Sequence, residues 1–366
     1  MSLPQAAATA PIPNVLVIGA GGVGVITALS LYIRKLSHVS MVIRSDYDHV
    51  TANGYQIDSC DYGHISNWKP HSIYRTAYDA SQSGLFFNYL VITTKNIPDG
   101  PVESRVSNII KPILESNRTL QSEELTNIIL IQNGIDIEKE IVSKFNKDDY
   151  KYSLLSGIQL IGSTKIGKGI IKQIGKDHLS VGAFDACDRK AIHFAQVFVE
   201  LYGNEGKKIL LSSMQVVSLF KYGSKLLYNA AINTTTALVG LDVPRCLEFA
   251  VDKKSTEMEI FEPAMREIIK IAASEGIILE EQFVGFFANI TRNKMFKPSM
   301  CVDEEKGQLM ELEVILGNPL KIAKRNGIET PLLSMLYNLL VLVQGKLKEG
   351  NGLIKFNEDT CRMESE

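Results

Sequence analysis

Residues 14–36 read NVLVIGAGGVGVITALSLYIRKL, and three features stand there in order. Asn14–Ile18 is a short apolar run of the kind that forms a buried parallel strand. Gly19-Ala20-Gly21-Gly22-Val23-Gly24 follows as a GxGxxG turn, and the remainder has the patterning of an amphipathic helix. Glycines serve such a turn by allowing a tight reversal, close approach of backbone to a pyrophosphate, and close packing of helix on strand. The unpaired N–H groups at the helix start would then hold the diphosphate. Strand, glycine turn and helix within about 30 residues make a dinucleotide-binding α/β domain the expected fold, with Gly19, Gly21, Gly22 and Gly24 at the cofactor.

Working outward, a second strand, Val39–Ile43, ends in Arg44-Ser45. An NAD site usually carries an acidic residue there, about 20 residues past the glycines, to bind the ribose 2′-hydroxyl. Arg44 replaces it, and a guanidinium pairs well with a 2′-phosphate, so NADP(H) is the expected cofactor. Asp46, two residues on, leaves use of NAD open. Tyr55 to Tyr78 reads as irregular strands or a hairpin and carries no functional reading. Asn88–Ile92 resumes the sheet before Thr93-Thr94-Lys95, a helix spans Val102 to Leu114, and Asn127–Ile131 ends in Gln132-Asn133-Gly134. Ligands of an open α/β sheet gather at the carboxyl ends of its strands, which makes Lys95 and Asn133 candidates by placement. Taken singly, Lys95 reads more often as a surface charge and Asn133-Gly134 as a turn, and it is their placement that makes them candidates. Strands follow at Tyr152–Leu160, Gly169–Ile174 and His178–Val181, the last two as a hairpin around Gly175-Lys176-Asp177. A helix from Ala186 to Tyr202 and a strand from Lys208 to Leu211 complete the domain, with its boundary near Ser212.

Beyond it the pattern is helical almost throughout. Phe220–Gly240 reads FKYGSKLLYNAAINTTTALVG and places Lys225, Asn229 and Asn233 at every fourth position of a mostly apolar helix. Such spacing points the three side chains one way. Buried polar groups need partners, so they read either as a snorkelling lysine with two backbone-bonded asparagines or as a polar seam facing a ligand. Helices are expected at Pro244–Ala273 (one long or two abutting), Glu281–Arg292, Leu309–Leu316, Asn318–Arg325 and Thr330–Lys348, with a loop at Lys297–Met300. Residues from Asn351 onward read as a frayed tail.

With 366 residues, two domains are expected, here 12–211 and 212–350. A net charge of −2 gives no global attraction to nucleic acid or anionic membrane. Five scattered cysteines without a CxxC pair favour neither a disulfide framework nor a zinc site, and no metal is expected. The start, MSLPQAAATAPIP, lacks the layout of a signal peptide, and glycines interrupt the most apolar run, Val15–Ile33, so a cytoplasmic protein is expected. The apolar stretch Leu336–Val343 packs internally or against a second copy, and a homodimer is the favoured assembly.

These residues resemble the ketopantoate reductases (2-dehydropantoate 2-reductases) from about Asn14 to Lys348. The resemblance implies an N-terminal Rossmann domain, an all-helical C-terminal domain of the 6-phosphogluconate dehydrogenase kind, and an active site in the cleft between them. It implies that Arg44 contacts the NADP 2′-phosphate, that Lys95 faces the cofactor, and that Asn133 touches nicotinamide ribose and substrate. It makes Lys225 the catalytic lysine of a K-xxx-N-xxx-N signature, Asn229, Asn233 and Ser299 substrate-binding, and Glu311 the active-site glutamate. Two departures stand out. Thr234 and Thr235 replace the usual proline and leucine, so a straighter helix is expected. The lid Cys301–Gln308 carries Asp303, Glu304 and Glu305, and an acidic lid would not favour a carboxylate substrate.

The expected reaction is therefore reduction of a small 2-oxo acid, first of all ketopantoate to (R)-pantoate in pantothenate and coenzyme A synthesis, with Lys225 as general acid. The alternatives are the same chemistry on another carbonyl compound and an NADP(H)-binding redox sensor without turnover.

Overall fold

A computed structural model describes residues 11–121, 123–203, 210–211 and 225–364. The chain forms two compact units. The first comprises the chain up to Thr94 with residues 110–131 and 145–211; the second comprises 95–109, 132–144 and the chain from Ser212 onward. Two short segments after strands of the first unit thus belong to the second, a departure from a single crossing. The boundary residue Ser212, the opening of the Phe220 stretch, and Lys208 with Ile209 lie outside the described residues.

The first unit is built on a ten-stranded sheet. Its strands are β1 (Asn14–Ile18), β2 (His38–Val42), β3 (Tyr55–Ser59), β4 (Gly63–Trp68), β5 (Ser72–Tyr74), β6 (Tyr89–Ile92), β7 (Thr126–Ile131), β8 (Tyr152–Gly167), β9 (Ile170–Ala183) and β10 (Leu210–Leu211). The order is β4-β3-β9-β8-β7-β6-β1-β2-β5, with β10 beside β9. β1 pairs in parallel with both β2 and β6, and Val15, Leu16 and Val17 are fully buried, as a continuous apolar central strand requires. Helix α1 (Gly22–Ile33) follows the glycine turn, and the expected amphipathic pattern is corrected: Val25 to Leu31 are buried without interruption, so the helix is enclosed on all sides there, with Val25, Ile26, Ala28, Leu29 and Leu31 in the core.

The Tyr55–Tyr78 region holds the expected hairpin, since β3 and β4 pair antiparallel. It also supplies β5, which extends the sheet in parallel beyond β2. The hairpin expected around Gly175 is corrected. β8 and β9 are two long antiparallel strands whose turn lies between Gly167 and Ile170, where Gly169 has φ +66°. Gly175 sits mid-strand opposite Gly162 at a register shift, and a Cβ on Gly162 would stand 2.9 Å from the Gly175 nitrogen. Glycine inside a strand marks such close approach as readily as it marks a turn.

The second unit is helical. Its described helices include Thr234–Val239, Val243–Glu248, Glu262–Ser274, Gln282–Asn289, Ser299–Glu305, Asn318–Arg325 and Pro331–Gly350. The expected loop at Lys297–Met300 gives way at Ser299 to a helix start. Among the described residues, three wide π-helical turns, Asn229–Asn233, Thr256–Phe261 and Glu313–Gly317, interrupt the regular helices. The helix bearing Asn229 and Asn233 thus carries a π-helical turn even without the family's proline. Threonine hydroxyls bond the carbonyls at the irregularity instead: Thr234 Oγ1 donates to Ala230 O (2.6 Å) and Thr235 Oγ1 to Ala231 O (2.7 Å). In the last helix Leu336 and Leu340 are buried, while Leu339 and Leu342 face solvent in the single chain. The tail does not fray as expected, because Phe356–Asn357 pairs antiparallel with Arg362–Met363.

Candidate active site

The glycine turn of the first unit assigns each glycine its own task. Gly19 has φ +122°, and a Cβ there would lie 2.5 Å from Thr93 Oγ1. A Cβ on Gly24 would lie 2.0 Å from Gly19 O, so only glycine lets α1 start this close to the turn. Gly22 packs on β8, its Cβ position 2.5 Å from the Ser163 backbone. Gly21 differs: no atom lies within 4 Å of a Cβ built there. No side chain caps α1, and no acidic residue stands in its first turn. Open space over Gly21, a helix start without an anion of its own, and exposed Arg44 at the end of β2 fit a dinucleotide phosphate.

The second unit gathers most of the remaining candidates. Glu311 is buried immediately before a helix, and both of its oxygens are held. The backbone N–H of Asn96 donates to Oε1 (2.9 Å), and Asn133 Nδ2 donates to Oε2 (2.6 Å). Asn133 reaches it because the next residue is Gly134, with φ +91°, whose Cβ position is filled by Val314 at 2.4 Å. From the other side Gln344 brackets Met310: Gln344 Oε1 accepts from Met310 N (3.0 Å), and Nε2 donates to Met310 O (3.1 Å).

Lys225 is half-buried. Burial of its ammonium pulls its pKa from 10.5 down to about 8, and the attraction of Glu311 offsets part of that fall. Asn233 is buried and central to the signature. Its Nδ2 donates to Ser299 Oγ (3.2 Å) and to Asn229 Oδ1 (3.4 Å), while its Oδ1 accepts from Met300 N (2.8 Å). The wider π-helical turn brings residues four apart closer to alignment, so Asn229 and Asn233 meet as the spacing predicts.

The acidic lid is also corrected. Asp303 is buried and pairs with Lys95 at 2.5 Å, Glu304 pairs with Lys346 at 2.9 Å, and Glu305 pairs with Lys297. Burial raises the Asp303 pKa to about 6, against the pull of Lys95. Each lid acid has its own lysine, so the lid does not repel a carboxylate by net charge. Lys95 also donates to Gln308 Oε1 (3.2 Å). Within the second unit, then, Lys95 bonds to the lid, the next residue Asn96 joins Asn133 on Glu311, and Asn229, Asn233 and Ser299 form a further set.

Residues 15–186 match the family described as "Ketopantoate reductase PanE/ApbA", and residues 222–344 match "Ketopantoate reductase PanE/ApbA C terminal". The chain belongs to the ketopantoate reductase family. Its members are oxidoreductases that use a nicotinamide cofactor, and the mainly parallel N-terminal sheet with a helical C-terminal unit is their fold. An uncharacterized protein of Saccharomyces cerevisiae is 64% identical over 356 residues, 96% of this chain and 99% of the relative. The crystal structure of 2-dehydropantoate 2-reductase from Methylococcus capsulatus is 26% identical, with TM-score 0.71 over 91% of this chain and 97% of that one. A ternary structure of D-mandelate dehydrogenase with NADH and anilino(oxo)acetate has TM-score 0.70 at 16% identity, covering 92% and 99% of the two chains, a likeness of fold alone.

Sequence reasoning missed Asn96, which acts through its backbone N–H and so leaves no side-chain signature. It read Asp303 as part of an acidic lid unfavourable to a carboxylate because its lysine partner lies in a distant part of the chain. It also left Asp46 without a partner, whereas the structure buries that carboxylate.

Proposed function

We propose that this ketopantoate reductase family member catalyses NADPH-dependent reduction of a small 2-oxo acid, with 2-dehydropantoate to (R)-pantoate as the favoured reaction. The observation that carries the reading is the buried Glu311, fixed at both oxygens and acting electrostatically on Lys225, whose pKa lies at about 8. When bound at the glycine turn, with Arg44 at its 2′-phosphate, the dihydronicotinamide supplies hydride to the carbonyl carbon. Lys225 polarises the carbonyl oxygen through its ammonium and donates a proton to it, so carbonyl, hydride and proton together give the 2-hydroxy acid. A general acid with a pKa of about 8 is mostly protonated at neutral pH and loses its proton more readily than an ordinary lysine. Glu311 orients Lys225 and accepts from a substrate hydroxyl. Asn229, Asn233 and Ser299 hold the carboxylate, and Asn133 serves both substrate and ribose. Lys95, tethered by Asp303, faces the cofactor.

Thr234 and Thr235 turn their hydroxyls onto the helix backbone, which supports retention of the 2-oxo acid chemistry despite the departure from the family pattern. The test is a panel of aliphatic and aryl 2-oxo acids with NADPH, with the product identified by mass. Consumption of 2-dehydropantoate well above the others supports the reading, and turnover of a carbonyl compound without a carboxylate overturns it. A cytoplasmic enzyme is consistent with the five free cysteines. Exposed Leu339 and Leu342 support a homodimer, which sedimentation tests.

A further inference from the structure

Asp46 stands two residues past Arg44, and its carboxylate is fully engaged. Its Oδ1 accepts from Lys165 Nζ (3.0 Å) and Ser45 Oγ (3.1 Å), and its Oδ2 accepts from the Gly169 N–H (3.0 Å). Lys165 Nζ also donates to Ser45 Oγ (3.2 Å). Apart from the adjacent Ser45, the partners come from β8 and from the β8–β9 turn, so the hairpin folds against the end of β2. The Asp46 side chain is 3% exposed and that of Lys165 33%, so the carboxylate is hidden while the ammonium stays accessible.

An acid at this point would otherwise accept from a ribose 2′-hydroxyl and repel a 2′-phosphate. Arg44 and Asp46 alone sum to no net charge, whereas Lys165 restores one positive charge. We propose that Lys165 sets cofactor choice: it locks Asp46 away from the adenosine ribose and, held there, joins Arg44 as a donor to the 2′-phosphate. The proposal rests on the NADP reading of Arg44. Burial works to raise the Asp46 pKa, and the Gly169 N–H and Lys165 outweigh it, so the acid is held ionised below its ordinary range.

Calorimetric titration of 2′,5′-ADP and 5′-AMP, fragments that lack the nicotinamide, separates this from catalysis. Wild type is expected to prefer 2′,5′-ADP. Lys165→Met should narrow that preference by roughly ten- to a hundredfold, the range of a charged hydrogen bond. Lys165→Arg should keep it, and the double variant Lys165→Met with Asp46→Asn should recover it, because Arg44 is then unopposed. A loss of both fragments in parallel, or no change in the preference of Lys165→Met, overturns the role of Lys165 while leaving the NADP reading standing. A wild type that does not distinguish the two fragments overturns both.

Discussion

Replacing Glu311 by Gln removes the charge that works against the desolvation of Lys225. Burial lowers Lys225 from 10.5 to about 8 even with Glu311 acting in the opposite direction. Loss of a carboxylate at close range is worth roughly one to three pKa units. The lysine of the variant should then titrate between about 5 and 7. At neutral pH the wild-type lysine is about nine-tenths protonated. With a pKa near 6 it would be only about one-tenth protonated, so the acid form falls roughly tenfold before any lost substrate contact is counted. Competitive acetylation across a pH series, with Lys225 quantified by mass spectrometry, reads the pKa without a substrate. In the reduction direction kcat/KM should fall as pH rises through about 8 in the wild type, and the limb should move to lower pH in Glu311→Gln. A wild-type Lys225 titrating near 10.5, or a variant pKa unchanged or raised, would refute the reasoning.

Gly24→Ala puts a methyl 2.0 Å from Gly19 O and should cost at least about 1–3 kcal/mol in urea unfolding. Gly21→Ala meets no protein atom within 4 Å, so its stability should stay within about 0.5 kcal/mol while NADPH affinity drops. Gln344→Leu leaves the Met310 N–H and C=O without their partner and should cost about 1–3 kcal/mol, with kcat reduced through Glu311 rather than through cofactor affinity. Asp303 has its folded-state pKa raised from 3.8 to about 6, so its ionisation opposes folding. That penalty is absent below the unfolded value and complete above the folded one. Wild type should accordingly lose about 3 kcal/mol relative to Asp303→Asn as pH rises across that window, measured by denaturation at each pH.

The parts of the fold that read correctly are those fixed by local pattern. β1, the glycine turn and α1 are contiguous, and each residue type there answers a backbone demand that its neighbours also reveal. The meeting of Asn229 and Asn233 was legible for the same reason, since helical spacing aligns them. The hairpin at Gly175 was misplaced because a strand glycine and a turn glycine look alike until the facing residue, Gly162, is known. The lid was misread because the charge of Asp303 is set by Lys95, from a distant segment. Asn96 contributes only a backbone donor, which every residue but proline possesses. The π-helical turn at Asn229–Asn233 lacks a local cue, as the family's usual proline is absent and threonine hydroxyls satisfy the irregularity, whereas the turn at Glu313–Gly317 is followed by Pro319.

The most direct test of the account is the loss of NADPH absorbance with 2-dehydropantoate, comparing wild type with Lys225→Ala at matched cofactor occupancy. The account predicts turnover in the wild type, with (R)-pantoate as product, and near-complete loss in Lys225→Ala while NADPH still binds. Undiminished turnover in Lys225→Ala, or tight NADPH binding by a wild type that reduces no 2-oxo acid, would contradict it.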